Sequence, residues 1–157
     1  VDDKGAQRMS ERSKWTLLVA GRGDVVKHQT IARWMGLGDA VKFLGTRDLA
    51  ESFAAADLFV LPTLYDPLAR VCIEAARAGL PVVTTKKNGF CEWIGAGEGF
   101  VLENASAETE LAGILDRAFR TNLAEMGRKL QARTAQLTIE KNAEEILSHL
   151  ASIGNAA

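Results

Sequence analysis

The residues best placed to do chemistry lie in one stretch, Pro62-Thr63-Leu64-Tyr65-Asp66-Pro67-Leu68-Ala69-Arg70, with Glu74 just beyond it. An apolar run, Leu58-Phe59-Val60-Leu61, precedes the stretch, and a helical pattern follows it. A loop that leads from a buried strand into a helix ends in backbone N–H groups without intrahelical acceptors, and the helix dipole favours negative charge there. Such a place binds an anion. Arg70 adds a full positive charge in the first turn, where the dipole alone would favour an acid. Asp66 and Glu74 stand eight residues apart, and at ~100° per residue they return to within about 80° of each other. Two carboxylates on one side of a helix suit recognition of hydroxyls, one acid for a sugar and one for a ribose diol. Each residue also has a plainer reading. Arg70 and Glu74 make an i, i+4 helix pair of about 0.3–0.5 kcal/mol. Asp66 before Pro67 makes an N-cap with the proline favoured at the first helical position, worth ~1 kcal/mol.

These residues need a scaffold, and the chain alternates short apolar runs with helical stretches. The pattern predicts strands at 15–20, 41–44, 58–61, 81–84 and 99–102. It predicts helices at 25–35, 48–55 and 67–78, with 107–153 helical throughout. Ile31, Trp34 and Met35 share one side of the first helix. Leu111, Ile114, Leu115 and Ala118 keep one face apolar further on, as do Ile139, Ala143, Ile146, Leu147 and Leu150. Strands alternating with helices imply an α/β, Rossmann-like fold: a parallel sheet with helices on both faces. Ligands of such sheets bind at the carboxyl ends of the strands. The loops to inspect are therefore 21–24, 45–48, 62–70 and 85–92.

The composition fits one ordinary domain. There are 157 residues, 47% apolar and 25% charged, close to globular averages, which excludes a disordered, collagen-like or coiled-coil chain. Nineteen Lys and Arg against twenty Asp and Glu leave a formal charge of −1, so no nucleic-acid partner is expected. Cys72 and Cys91 are too few for a secreted disulfide scaffold; they read as small apolar residues in a reducing, cytoplasmic setting. No apolar run reaches the ~18–20 residues of a membrane span. The opening at Val1 rather than Met suggests a fragment or an excised domain.

Several familiar sites are missing from the sequence. Gly21-Arg22-Gly23 has Val26 where a dinucleotide fingerprint needs its third glycine. There is no GxxxxGK[ST] loop and no Asp-x-Asp pair for a divalent metal. His28 and His149 lack partners at ligand spacing and read as surface residues. No metal and no cofactor are expected.

The block 56–92 resembles the nucleotide-sugar-binding half of GT-B glycosyltransferases, specifically glycosyltransferase family 4. The matching residues are Ala56-Asp57-Leu58-Phe59-Val60-Leu61-Pro62, Tyr65-Asp66-Pro67-Leu68-Ala69-Arg70, Glu74-Ala75-Ala76 and Ala78-Gly79-Leu80-Pro81-Val82-Val83. Gly21-Arg22-Gly23-Asp24 after a strand, Val41-Lys42-Phe43-Leu44-Gly45, and Asn88-Gly89 ahead of Glu92 agree with it. The lipopolysaccharide-core glucosyltransferase branch is most similar, through Thr84-Thr85 and Asn88-Gly89.

The resemblance implies one half of a GT-B fold and the donor-binding, C-terminal domain of a retaining, metal-independent glycosyltransferase. Such an enzyme moves a hexose-like sugar from a nucleotide diphosphate sugar, UDP before GDP, to a glycan or lipid-linked acceptor. Asp66 matches the acid that contacts the sugar, and Glu74 the acid that holds the ribose hydroxyls. Leu68, Ala69, Arg70 and Val71 match the segment whose amides meet the diphosphate, and Lys4 matches a neutralising lysine. Asp66 and Lys4 are the implied catalytic residues. Gly21, Arg47 and Gly89 complete the implied substrate-binding set from the neighbouring loops. The implied partner is an N-terminal acceptor domain, and the location is cytoplasmic, with peripheral association of the parent at the inner membrane face left open. Alternatives are a non-catalytic nucleotide-sugar-binding module and a nucleotide-sugar epimerase of the same architecture. The sequence departs from the family pattern in three places. Asp66 is one methylene shorter than the usual Glu, and Ala69 stands where glycine is common, which predicts a less close approach to the donor. Only nine residues separate Gly5 from Trp15, with no Arg ahead of Lys4, so the first βα unit is expected to be incomplete.

Overall fold

The computed structural model describes residues 15–154, which fall into two compact units divided between Ala56 and Asp57. In the first unit, β1 (Leu17–Ala20) and β2 (Val41–Gly45) pair in parallel, from Leu17 opposite Val41 to Ala20 opposite Gly45, with a register shift between Val19 and Ala20. They alternate with α1 (Val25–Trp34) and α2 (Leu49–Ala54). Both helices start on an aspartate. Asp24 Oδ1 accepts from Lys27 N at 2.9 Å, and Asp48 Oδ1 accepts from Ala50 N at 2.9 Å, so each carboxylate satisfies an amide that the helix leaves orphaned.

The buried residues of this unit are Ala32, Val41 and Phe53. The apolar side expected of α1 does not face inward. Ile31, Trp34 and Met35 are exposed, Trp34 at 88%. The side that turns in carries Gln29 and Ala32, three residues apart, and Gln29 Nε2 donates to Val41 O at 3.5 Å. A small residue and a hydrogen-bonding one occupy the contact with β2, and the larger apolar groups are left outside.

The second unit is a three-stranded parallel sheet in the order β3 (Phe59–Leu61), β4 (Val82–Thr85), β5 (Gly99–Leu102). Phe59 lies opposite Val82, and Val82 opposite Gly99. The central strand β4 is buried at all four positions. That suits a central parallel strand, covered on both faces. After β3 comes α3 (Arg70–Arg77), and after β5 come α4 (Glu108–Ala118), α5 (Leu123–Thr134) and α6 (Ile139–Gly154). The helical remainder expected at 107–153 is thus three helices, and Asn122 caps α5 by accepting from Glu125 N at 3.1 Å.

Val83, Leu102 and Ile114 form a core joined by Leu58, Val60, Phe100 and Leu111. The fully buried Val83, Leu102 and Ile114 each contribute roughly 1.5–3 kcal/mol. From α3, Cys72, Ala75 and Ala76 are completely buried, as helical i, i+3, i+4 neighbours. The apolar face of α6 holds as a pattern but stands exposed at Ile139, Ile146, Leu147, Leu150 and Ile153. Among the described residues no helix is long and apolar enough to cross a membrane.

Candidate functional site

The loop from β3 to α3 is built by the strand beside it. β3 stops at Leu61, but β4 continues to hold the chain with side chains. Thr84 Oγ1 donates to Leu61 O at 2.9 Å, and Thr85 Oγ1 donates to Thr63 O at 2.8 Å. Further out, Asp66 makes an isolated parallel bridge with Asn88. Asp66 N donates to Lys87 O, and Gly89 N donates to Asp66 O, both at 3.0 Å. At Gly89 a Cβ would sit 1.9 Å from Pro67 O, so only glycine lets the two loops close to this distance.

Helix α3 begins three residues later than expected, and this changes the meaning of Asp66. The cap residue is Ala69, with no side-chain cap bond. Asp66 Oδ1 instead accepts from Leu68 N at 3.0 Å, a local turn ahead of the helix. The other carboxylate oxygen of Asp66 has no protein partner among the described residues. Asp66 is therefore a turn residue and not the helix cap expected from Asp66-Pro67. Pro67 lies in the turn that leads into α3 and not in its first turn.

The four amides expected at an anion divide into two pairs. Leu68 N is taken by Asp66, and Ala69 N donates to Asn88 Oδ1 at 3.2 Å. The amides of Arg70 and Val71, the first two of α3, have no protein acceptor among the described residues. Ala69 is 4% exposed with φ −64° and ψ 103°. That backbone is ordinary for any L-residue, and the methyl lies inside the protein. The alanine therefore does not obstruct approach to the turn, contrary to the expectation from its replacing glycine.

Arg70 and Glu74 do lie together, with Nη2 and Oε1 4.0 Å apart and side chains 88% and 45% exposed. A pair this open and this long is weak, so both groups remain available to a ligand. The second unit thus brings together Asp66, Leu68, Ala69, Arg70, Val71 and Glu74 around the start of α3, with Gly89 behind the turn.

Gly21 and Arg47 lie in the first unit. Gly21 has φ +151°, a conformation that favours glycine, and lines a hollow of ≈ 260 Å³ together with Arg22, His28, Phe43 and Gly45. Arg47 is exposed, and its Nε donates to Leu44 O at 3.3 Å. His28 is exposed and stacks on Phe43 with ring centroids 5.7 Å apart. Lys4 lies outside the described residues. No cluster of three or more His, Cys, Asp or Glu able to hold a metal occurs among the described residues.

Asn88 is a residue of this loop that the spacing of charged groups does not single out. Its side chain is fully buried. Oδ1 accepts from Ala69 N at 3.2 Å and Phe90 N at 3.1 Å; Nδ2 donates to Thr84 Oγ1 at 2.9 Å and to Cys72 Sγ at 3.4 Å. Burial pushes the Cys72 thiol up to about 11, against the pull of the Asn88 and Thr84 hydrogen bonds, so Cys72 is uncharged near neutral pH and packs as an apolar residue. The available signal was the run Val82-Val83-Thr84-Thr85 followed by Asn88-Gly89: polar side chains at the tip of a buried strand must find partners.

Comparison with known proteins places this arrangement in a family. Residues 4–120 match the family model described as Glycosyl transferases group 1. The lipopolysaccharide glucosyltransferase WaaG of Escherichia coli (strain K12) is 33% identical over 111 residues, covering 69% of this chain and 30% of its own length. The lipopolysaccharide core biosynthesis glycosyltransferase LpsE of Rhizobium meliloti (strain 1021) is 32% identical over 128 residues, covering 78% and 37%. Among solved structures, Anabaena Alr3699/HepE in complex with UDP-glucose superposes with a TM-score of 0.71 at 30% identity, over 85% of this chain and 41% of that one. This chain therefore spans about a third of the length of the curated relatives it matches.

Proposed function

This chain belongs to the glycosyl transferases of group 1, and from that premise we propose that it is the donor-binding part of a retaining hexosyltransferase. The donor is a nucleotide diphosphate sugar, UDP-linked, and the acceptor is a glycan or a lipid-linked glycan. The single observation that carries this reading is the start of α3: the amides of Arg70 and Val71, unpaired among the described residues, an exposed Arg70, and the carboxylates of Asp66 and Glu74 on the same short segment. UDP is favoured because solved relatives at up to 30% identity hold UDP or UDP-glucose.

In this reading the bond between the sugar and the diphosphate breaks, the acceptor hydroxyl oxygen bonds to the sugar in its place, and the hydroxyl proton passes to the departing diphosphate. Negative charge grows on the departing diphosphate. Amides fixed at a helix N-terminus and the Arg70 guanidinium meet that charge without reorganising. Asp66 addresses the sugar hydroxyls through its free oxygen, and Glu74 accepts from the ribose diol. Lys4 is proposed as a further cation, and Gly21 and Arg47 are carried as donor-binding positions of the first unit. The acceptor is held by an N-terminal domain. The parent works in the cytoplasm, at the inner face of the membrane, a placing that leans on its lipopolysaccharide-synthesising relatives.

Calorimetry of these 157 residues with UDP, GDP and ADP tests the proposal. UDP is expected to bind with Kd of about 10 μM to 1 mM, or roughly −4 to −7 kcal/mol, and no sugar transfer is expected without the acceptor domain, which orients the attacking hydroxyl. Absence of binding to every nucleoside diphosphate would sink the donor reading. Transfer by the chain alone would overturn its division into halves.

A further inference from the structure

Asn88 plays no part in the donor chemistry above, yet it is the most fully engaged polar side chain around the loop. It is completely buried and makes four side-chain contacts, to Ala69 N, Phe90 N, Thr84 Oγ1 and Cys72 Sγ. Two acceptor bonds on Oδ1 and two donor bonds on Nδ2 are what an amide supplies and a carboxylate cannot. The helix it touches has an unusual start. Ala69 occupies the cap position and has no side chain able to cap. A Ser, Asp or Asn there could accept from the second amide of the helix, Val71 N, one of the two donors that an anion needs. Asn88 takes the amide of Ala69 itself, one residue earlier, so the turn is restrained from the protein side while Arg70 N and Val71 N stay open.

We propose that Asn88 is a positioning residue for diphosphate binding: it holds the first turn of α3 in place so that the Arg70 and Val71 amides are presented, unpaired, to a nucleoside diphosphate. This rests on the donor reading. Gly89 serves the same end from the next position, because its lack of a side chain lets the Asn88 loop close on Pro67 O. The device explains how a loop distant in sequence sets the presentation of these two amides.

The test compares UDP with uridine, which lacks the diphosphate, by NMR titration of the 157-residue chain. Wild type is expected to prefer UDP; if it does not, the donor reading falls and this inference falls with it. In Asn88→Ala, UDP affinity is expected to drop about tenfold while uridine changes by less than about twofold, the size of a lost hydrogen bond to a charged group. A merely structural Asn88 would weaken both ligands alike or neither. Ile114→Val, in the core beside Val83 and Leu102, is the control for lost stability and should leave the preference intact. If Asn88→Ala does not fold, Thr84→Val carries the test. It removes the hydroxyl that accepts from Asn88 Nδ2 and donates to Leu61 O at nearly constant shape; loosening Asn88 is expected to lower the preference about threefold, while the Leu61 bond, on the strand, affects both ligands alike. An undiminished preference for UDP in the folded variant overturns the proposal while leaving the donor reading standing.

Discussion

Replacing Glu74 by Gln separates the two roles open to that carboxylate. As half of a helix pair it can give little. The closest approach to Arg70 is 4.0 Å, and the two side chains are 88% and 45% exposed, so the pair contributes about 0.3–0.5 kcal/mol at most. For a chain of this size that is a fall in Tm of roughly 1–2 °C. As the acceptor for two ribose hydroxyls it gives more. The amide keeps one acceptor and turns the other into a donor, which costs about 1.5–3 kcal/mol for bonds to a charged group. UDP affinity should therefore drop about 10- to 150-fold. Calorimetric melting measures the first quantity, and NMR titration, suited to millimolar affinities, measures the second. Unchanged UDP affinity with a Tm lowered by many degrees would refute the assignment, because Glu74 would then be holding the fold and not the ligand.

Asp66→Asn keeps the oxygen that accepts from Leu68 N, so UDP binding should stay within about twofold of wild type while turnover of the intact parent enzyme falls steeply; a large loss of UDP affinity with turnover preserved contradicts the roles assigned. Gly89→Ala forces a Cβ toward Pro67 O, 1.9 Å away in the present backbone, and should cost about 1–3 kcal/mol or more in urea unfolding; an unshifted midpoint would show that the two loops are not in register as described. The Arg133 guanidinium, hydrogen-bonded to Glu98, holds the Glu98 carboxyl below the usual carboxylate range. A depressed folded-state value adds stability that is fully present above the unfolded pKa and lost as pH falls through the folded one. Glu98→Gln should thus be less stable than wild type at pH 7, with the gap closing below about pH 4; a gap that does not vary with pH in urea midpoints contradicts the pairing.

The order of elements was legible because it is written in local signals. Short apolar runs marked the five strands, three of them closed by Gly21, Gly45 or Pro62, and β5 falls at Gly99–Leu102 as its pattern predicts. α2 falls at Leu49–Ala54, inside the expected 48–55, with Asp48 at its start as the cap. The segment 56–92 carried the resemblance, since the spacing of Asp66 and Glu74 around Arg70 survives in sequence whatever the packing.

What tertiary structure decided is which of several local options each residue takes. Asp66 before Pro67 is compatible with a helix cap, and the same carboxylate is equally able to close a turn on Leu68. The choice was made by the pairing of Asp66 with Lys87 and Gly89 across the loop. Ile31 and Trp34 form an apolar side of α1 on any helical projection, yet burial depends on which side meets a sheet, and the side with Ala32 meets it. Asn88 is nineteen residues from the amide it holds, and no local pattern connects them. Periodicity and capping signals act over a few residues along the chain, whereas hydrogen-bond satisfaction in a buried loop is settled between segments that meet only when the strands have paired.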